Sequence, residues 1–339
     1  MRSATPDPVT VPAAAFAAAT AALIGRPLGD QPLAVAVSGG PDSLALLLLA
    51  HAAFGDRVRV VTVDHGLRDA SGMEATLVAD RAAQLGLPHT TLRWAGPYPT
   101  ANLQAAARGA RYALMCDWCA ARGIRWLATA HHRDDAAETL LLRLARGAGV
   151  GGLSGIRPRR GLSEDVTVLR PLLGAAKAEL VAIVVAAGWI AADDPTNRAT
   201  RFDRTQARAL LAATPWLDPA RLAASAAHLT DVEAALAWAT DAAWRSRVVV
   251  AALKLTIDAA DLPHDLARRL VRRAVATLAP GRDCRGDAVE RLMLALAERR
   301  RATLQGIAFT PIDHCGTLLW HARRAPPRRR PAPDATGSD

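Results

Sequence analysis

Lysine is nearly missing from this 339-residue chain. Lys177 and Lys254 are the only two, so 40 of the 42 basic residues are arginine. No glycine-rich segment has a lysine beside it, which excludes a phosphate loop of the G-x-x-x-x-G-K-[ST] kind. Four cysteines (Cys116, Cys119, Cys284, Cys315) are too few for a disulfide framework at this length. Four Phe and two Tyr, with abundant Ala and Arg, read as the imprint of a GC-rich coding sequence. No apolar run reaches the roughly 20 residues that a membrane span needs. The longest candidate, Ala13–Ile24, follows Pro6, Asp7, Pro8 and Pro12, with only Arg2 as a basic lead. The run is therefore expected to be a first helix packed on a domain and not a signal peptide. The expectation is a cytoplasmic protein with no membrane partner.

What the chain has in quantity is apolar mass and positive charge. Hydrophobic residues make up 51%, charged residues 22%, and mean hydropathy is +0.09, which excludes disordered and collagen-like classes. At 35.7 kDa there is room for two domains. The formal charge of +10 and pI near 10.7 suit a protein that meets a polyanion. From Arg323 to Asp339 the net charge is +3, leaving about +7 for the body. Residues 325–333 consist only of Pro, Arg and Ala, and such a segment is expected to be a disordered basic tail.

Short β-branched runs alternate with helical patterns in the first half. Leu33–Val37, Val58–Val63, His89–Trp94, Arg125–Ala130 and Val166–Leu169 read as strands. Asp42–Phe54, Ser71–Leu85, Ala101–Arg122, Asp134–Arg146 and Ala175–Ala187 read as helices. That rhythm predicts an α/β fold built on a parallel sheet covered on both faces. After Asp193 the texture turns helical, with Pro219–Arg247, His264–Leu278 and Gly286–Arg299 as helices. Three strand-like runs remain, Leu253–Ile257, Thr303–Phe309 and Thr317–His321. The expected division is a lead-in helix (1–30), an α/β domain (31–213), a smaller, mainly helical domain (214–322) and the tail (323–339). No internal repeat or heptad run is present.

Ser38-Gly39-Gly40-Pro41-Asp42-Ser43 follows the first strand and opens a helix. Two glycines let the backbone turn sharply so that successive N–H groups can point at one anion. The helix start adds free N–H groups and the positive end of its dipole. Ser38 and Ser43 bring hydroxyl donors. Val63-Asp64-His65-Gly66-Leu67-Arg68 ends the second strand, the edge where open α/β sheets hold ligands. Arg108 and Arg111 stand three apart, followed by Tyr112. His131-His132-Arg133-Asp134-Asp135-Ala136-Ala137-Glu138-Thr139 opens another helix, where acids also oppose the dipole favourably, and capping accounts for Asp134. Asp135 and Glu138, three apart, suit Mg²⁺ or a substrate ammonium. Adjacent His131 and His132 lack the spacing of a structural zinc site.

S-G-G-x-D-S after a first strand resembles the pyrophosphate loop of the N-type ATP pyrophosphatases, which include GMP synthetase, asparagine synthetase, tRNA thiolases and tRNA(Ile)-lysidine synthetases. D-H-x-L-R (Asp64, His65, Arg68), A-R-x-x-R-Y (Arg108, Arg111) and H-H-x-D-D-x-x-E-T are similar to signatures of the lysidine synthetases. So are the run Arg170-Pro171-Leu172, the step Asp194 to Asn197, and Arg204…Arg208, where Thr205 replaces the family's usual asparagine. The resemblance covers roughly residues 30–210, and the chain is similar to the family's short form.

It implies that the Ser38–Ser43 loop and Mg²⁺ hold ATP, with Asp135 and Glu138 as candidate metal ligands. Asp64, Arg111, Asp135 and Glu138 would be catalytic. His65, Arg68, Arg108, His131, His132, Asn197, Arg204 and Arg208 would touch the substrates. Those substrates would be free L-lysine and tRNA(Ile) with a CAU anticodon, gripped in part by the second domain. Oligomeric state stays open, a homodimer included. One alternative is a tRNA cytidine thiolase using Cys116 and Cys119, although Cys284 and Cys315 lie in the other domain. Another is a catalytically inactive nucleotide- or RNA-binding relative. A glutamine-dependent amidotransferase has no room for its second domain.

Overall fold

The computed structural model describes residues 10–66, 70–96, 98–99, 103–192, 203–251, 254–282, 284 and 286–326. Arg68, Asn197 and the tail from 327 on lie outside these residues. Contacts divide the chain into two compact units, one up to Asp231 and one from Val232.

The first unit opens with helix α1 (Thr10–Ile24), as its apolar run predicted. There follow β1 (Leu33–Ala36), α2 (Pro41–Phe54), β2 (Val58–Asp64), α3 (Ala70–Gln84), β3 (His89–Arg93), α4 (Leu103–Ala120), β4 (Trp126–Ala128) and α5 (Arg133–Ala145). A single turn α6 (Val150–Leu153), β5 (Arg159–Gly161), β6 (Thr167–Leu169), α7 (Lys177–Ala186) and α8 (Asp203–Ala213) complete it. The sheet order is β3-β2-β1-β4-β6-β5, parallel throughout except where β5 runs against β6.

Alternate strand residues face opposite layers. Val35, Val60, Trp126 and Ala128 join Phe16, Leu47 and Leu180 of α1, α2 and α7 in one core cluster. Ala34, Val61, Leu127 and Val168 join Tyr112, Met115 and Trp118 of α4 in another. Full burial of a Leu such as Leu47 stabilises by about 1.5–3 kcal/mol, which is why the strands need no polar face. β5, Arg-rich and exposed, escaped the sequence reading because it has no apolar pattern.

Helix α9 (Pro219–Arg247) passes from the first unit into the second. Beyond it come β7 (Val248–Ala251), β8 (Lys254–Asp258), α10 (His264–Leu278), α11 (Gly286–Ala297), β9 (Ala302–Leu304), β10 (Ile307–His314) and β11 (Thr317–Arg324). The strands form one antiparallel sheet, β7-β8-β11-β10-β9. Leu255, Ile257, Phe309 and Trp320 pack with Leu270, Val271 and Leu296 of the two helices. The unit thus carries more sheet than three strand-like runs suggested. The Thr303–Phe309 run is two strands, because Gln305 and Gly306 both adopt positive φ (51° and 80°) and turn the chain as a tight hairpin. Among the described residues no helix is long and apolar enough to cross a membrane.

Candidate functional site

In the first sheet β1 lies between β2 and β4, so the strand order reverses direction there. In open α/β sheets the crevice outside the carboxyl ends of the strands at such a switch point is where ligands sit. Two of the sequence motifs leave the sheet at this place, Ser38–Ser43 after β1 and the His131–Glu138 stretch after β4.

The Ser38–Ser43 loop is braced by its own side chains. The Ser43 hydroxyl donates to the Gly40 carbonyl at 2.9 Å, accepts from the Ser38 N–H at 3.1 Å, and lies 3.4 Å from the Ser38 hydroxyl. Gly39 sits at φ +87°, a conformation that a side chain strains, and its carbonyl accepts from the Ala192 N–H at 2.9 Å. Pro41 occupies the first turn of α2, where its missing N–H leaves no helical bond unmade. Among the described residues no hydrogen bond takes the N–H of Gly39 or Gly40, and a Cβ at Gly40 would meet open space. The loop can therefore present main-chain donors to an anion.

His132 ties this loop to α5. Its main-chain N–H donates to Asp135 Oδ2 at 3.2 Å. Its buried ring places Nε2 3.5 Å from both Asp42 Oδ2 and Asp135 Oδ2, and Nδ1 3.6 Å from Asp134 Oδ2. Burial alone would push the imidazole pKa down; Asp42 first, then Asp135 and Asp134, outweigh it and raise the value. Asp42 Oδ1 is buried with no protein partner, the feature expected of a carboxylate oxygen kept for a cation.

The acids of α5 divide their work. Asp134 accepts the main-chain N–H of Lys177 at 3.0 Å, so it caps the start of α7 and not, as the sequence suggested, the start of its own helix. Asp135 has Arg204 Nη1 at 4.0 Å. Glu138, 1% exposed, receives Arg208 through Nε at 2.8 Å and Nη2 at 3.3 Å, a two-pronged pair that joins α8 to α5. Nothing in the spacing of the sequence pointed to this pairing across 70 residues.

At the end of β2, Asp64 Oδ1 accepts the Gly66 N–H at 2.9 Å, and Oδ2 lies 3.7 Å from Arg93 Nε. Arg111 brings Nε and Nη2 to 3.2 and 2.9 Å from His65 Nε2. Guanidinium nitrogens only donate, so Nε2 of His65 is the acceptor and carries no proton. Burial, then the neighbouring Arg108, lowers the Arg111 pKa. Arg108 is exposed, its guanidinium 5.3 Å from the Tyr112 ring centre. His131 Nδ1 is 3.0 Å from the Thr129 hydroxyl. Burial, then Arg170, Arg108 and Arg204, push its pKa down to about 2, so it is neutral. Arg68 and Asn197 fall outside the described residues.

Cys116 and Cys119 stand three apart in α4, and burial pushes the Cys119 thiol up to about 12, so neutral pH leaves no reactive thiolate there. Among the described residues no group of three or more His, Cys, Asp or Glu side chains is arranged to hold a metal by itself.

A family model described as a PP-loop domain, an ATP-binding domain, matches residues 13–214. The tRNA(Ile)-lysidine synthase of Zymomonas mobilis is 38% identical over 318 residues, covering 93% of this chain and 94% of that relative. The protein of the same name from a Methylobacterium species is 45% identical over 315 residues, covering 87% and 90%. That of Novosphingobium aromaticivorans is 41% identical over 297 residues, covering 87% and 89%. Among solved structures, the U34-tRNA thiolase NcsA of Methanococcus maripaludis with its 4Fe-4S cluster superposes with a TM-score of 0.54. It covers 64% of this chain and 78% of that one at 15% identity, a likeness of fold alone.

Proposed function

The chain belongs to the tRNA(Ile)-lysidine synthase family, and on that premise we propose that it joins free L-lysine to the wobble cytidine of tRNA(Ile) bearing a CAU anticodon, in the cytoplasm, at the expense of ATP. The C2 oxygen of the cytidine attacks the α-phosphorus of ATP, and the bond to the β-phosphate breaks, releasing pyrophosphate. The lysine ε-amine then attacks C2, AMP leaves with the former C2 oxygen, and the amine's proton passes to a base. The product base pairs with adenosine rather than guanosine, so the tRNA reads AUA and is charged with isoleucine.

The observation that carries this reading is the meeting of the phosphate loop and the acidic start of α5 through Asp42, His132 and Asp135. Adenylation needs donors for the β,γ-phosphates. Ligation needs carboxylates that receive an ammonium. The main-chain N–H groups of Gly39 and Gly40 supply the donors, Ser38 and Ser43 brace the loop that presents them, and Pro41 sets the helix start. Mg²⁺ fits Asp42, whose Oδ1 lacks a protein partner, together with Asp135; bound with the nucleotide, it would neutralise charge on the phosphates.

Asp135, partly open and beside Arg204, orients the lysine ammonium and takes up its proton. Glu138, held by Arg208, keeps α8 in place. Arg111, oriented by His65, stabilises charge on the transferring phosphoryl group. Asp64, fixed by the Gly66 N–H, faces the same carboxyl edge. Arg68, Arg108, His131, Asn197 and Arg204 approach the RNA. The helices and antiparallel sheet within residues 214–322 grip the rest of the tRNA through its phosphates, giving steep salt dependence.

Purified protein with ATP–Mg²⁺, radiolabelled lysine and a tRNA(Ile) transcript carrying CAU tests the proposal. Incorporation is expected, and it should vanish when the wobble cytidine is changed to uridine. RNA-dependent AMP formation without lysine incorporation would overturn it in favour of thiolation.

A further inference from the structure

Arg170, at the end of β6, is an arginine that the fold buries without an acid. Its residue is 4% exposed. One guanidinium nitrogen donates to the Arg157 carbonyl at 2.5 Å, the group faces the Tyr112 hydroxyl, and Nε has no partner. Around the same tyrosine stand two more arginines, Arg108 from α4 and Arg160 from β5. Their guanidinium carbons lie 5.3 and 5.7 Å from the ring centre. Among the described residues none of these three has a carboxylate partner, although elsewhere the chain pairs its arginines freely, as in Arg208–Glu138 and Arg269–Glu233. A buried cation without a counter-charge is unfavourable unless an anion completes it.

The location limits what that anion is. β6 neighbours β4 in the parallel sheet, so Arg170 leaves the carboxyl edge beside the stretch that begins with His131. Burial first, then the field of Arg170, Arg108 and Arg204, holds His131 neutral. The Ser38–Ser43 loop already offers main-chain donors for a nucleotide's phosphates. Arg108 and Arg160 are exposed and extend the positive surface outward along the edge strand β5. Guanidinium groups steadied on an aromatic ring match the oxygens of a phosphodiester.

We propose that Arg108, Arg160 and Arg170, arranged about Tyr112, form a phosphodiester-binding site that holds the RNA strand beside the base being modified. The identity of that base rests on the proposed function; the class of ligand, an RNA phosphate, rests on the arginines. The role of Arg160 and Arg170 is to fix the strand so that the target base reaches the nucleotide.

The test is binding of a CAU anticodon stem-loop RNA to full-length protein across a salt series, with ATP affinity measured in parallel. Arg160→Gln is the main variant, since an exposed side chain on an edge strand can change without unfolding the core. RNA affinity should fall about tenfold, the loss of one charge-assisted hydrogen bond. The slope of log affinity against log salt should shrink by about 0.7. ATP affinity should stay within about twofold, the scale of a minor surface change. Arg170→Gln, checked for folding by thermal unfolding, should weaken RNA binding further. Unchanged RNA affinity and slope in Arg160→Gln would overturn the proposal. Loss of ATP affinity with RNA binding intact would overturn it too, giving the arginines to the nucleotide. If wild type incorporates no lysine while Arg160→Gln still weakens RNA binding, the phosphate site stands and the lysidine reading falls.

Discussion

Replacing Arg208 by Ala strands the Glu138 carboxylate. Glu138 is 1% exposed, and Arg208 meets both of its oxygens. Two unit charges about 4 Å apart attract by about 4 kcal/mol at an effective dielectric of 20. Removing one partner of a fully buried pair costs about 3–5 kcal/mol. The Arg208 side chain is 41% exposed, so water screens the pair from one side and enters where the guanidinium stood. The expected loss for Arg208→Ala is therefore about 2–3 kcal/mol. That corresponds to a fall in Tm of about 5–10 °C for a domain of this size. Chemical unfolding of the wild type, Arg208→Ala, Glu138→Gln and the double variant isolates the pair. The double variant should be more stable than Arg208→Ala by at least about 1 kcal/mol, because a neutral amide has no stranded charge. A loss under about 0.5 kcal/mol in Arg208→Ala, or a double variant no better than it, would refute the view that the pair holds α8 on α5.

Ser43→Ala removes the hydroxyl that braces Ser38 and Gly40; RNA-dependent AMP formation should fall at least about 100-fold, with stability lowered by only about 1–2 kcal/mol. Retained activity would remove the loop from the adenylation step. His131, with its pKa near 2 in the fold, should show a neutral ring by NMR at pH 5. Its folded value lies below the unfolded 6.5, so the stability it contributes is present above pH 6.5 and declines as pH falls toward 2; a ring titrating near 6.5 would contradict this. Changing Cys116 and Cys119 to Ala should leave lysine incorporation within about twofold, since the proposed ligation has no cysteine step and burial keeps the Cys119 thiol protonated. Loss of incorporation in a folded double variant would bring cysteine chemistry back.

The parallel sheet was legible because its inner strands are buried on both faces and therefore read as apolar, β-branched runs such as VRVVTV. The Ser38–Ser43 loop was legible because a tight turn and a helix start demand particular residues at fixed spacing. The pairings that join separate stretches were not. Arg208 to Glu138, Arg111 to His65 and Arg170 to Tyr112 arise when distant elements pack, and no local pattern encodes them. β7 went unassigned between the long helix and the next strand-like run, because an exposed edge strand lacks the burial that sets a period of two. Gln305-Gly306 is a turn inside an otherwise strand-like run, where only the glycine hints at the reversal.

The Ser38–Ser43 loop is braced by the chain's own groups, the Ser43 hydroxyl and the Ala192 N–H on the Gly39 carbonyl. A cradle braced in this way binds at a reduced ordering cost, and its main-chain donors meet the tail of ATP and the same two phosphates cut free alike. On the proposed reaction, free pyrophosphate competes with incoming ATP for these donors. Net flux then depends on the local concentration of pyrophosphate, so a pyrophosphate-hydrolysing activity elsewhere in the cell would draw the modification forward.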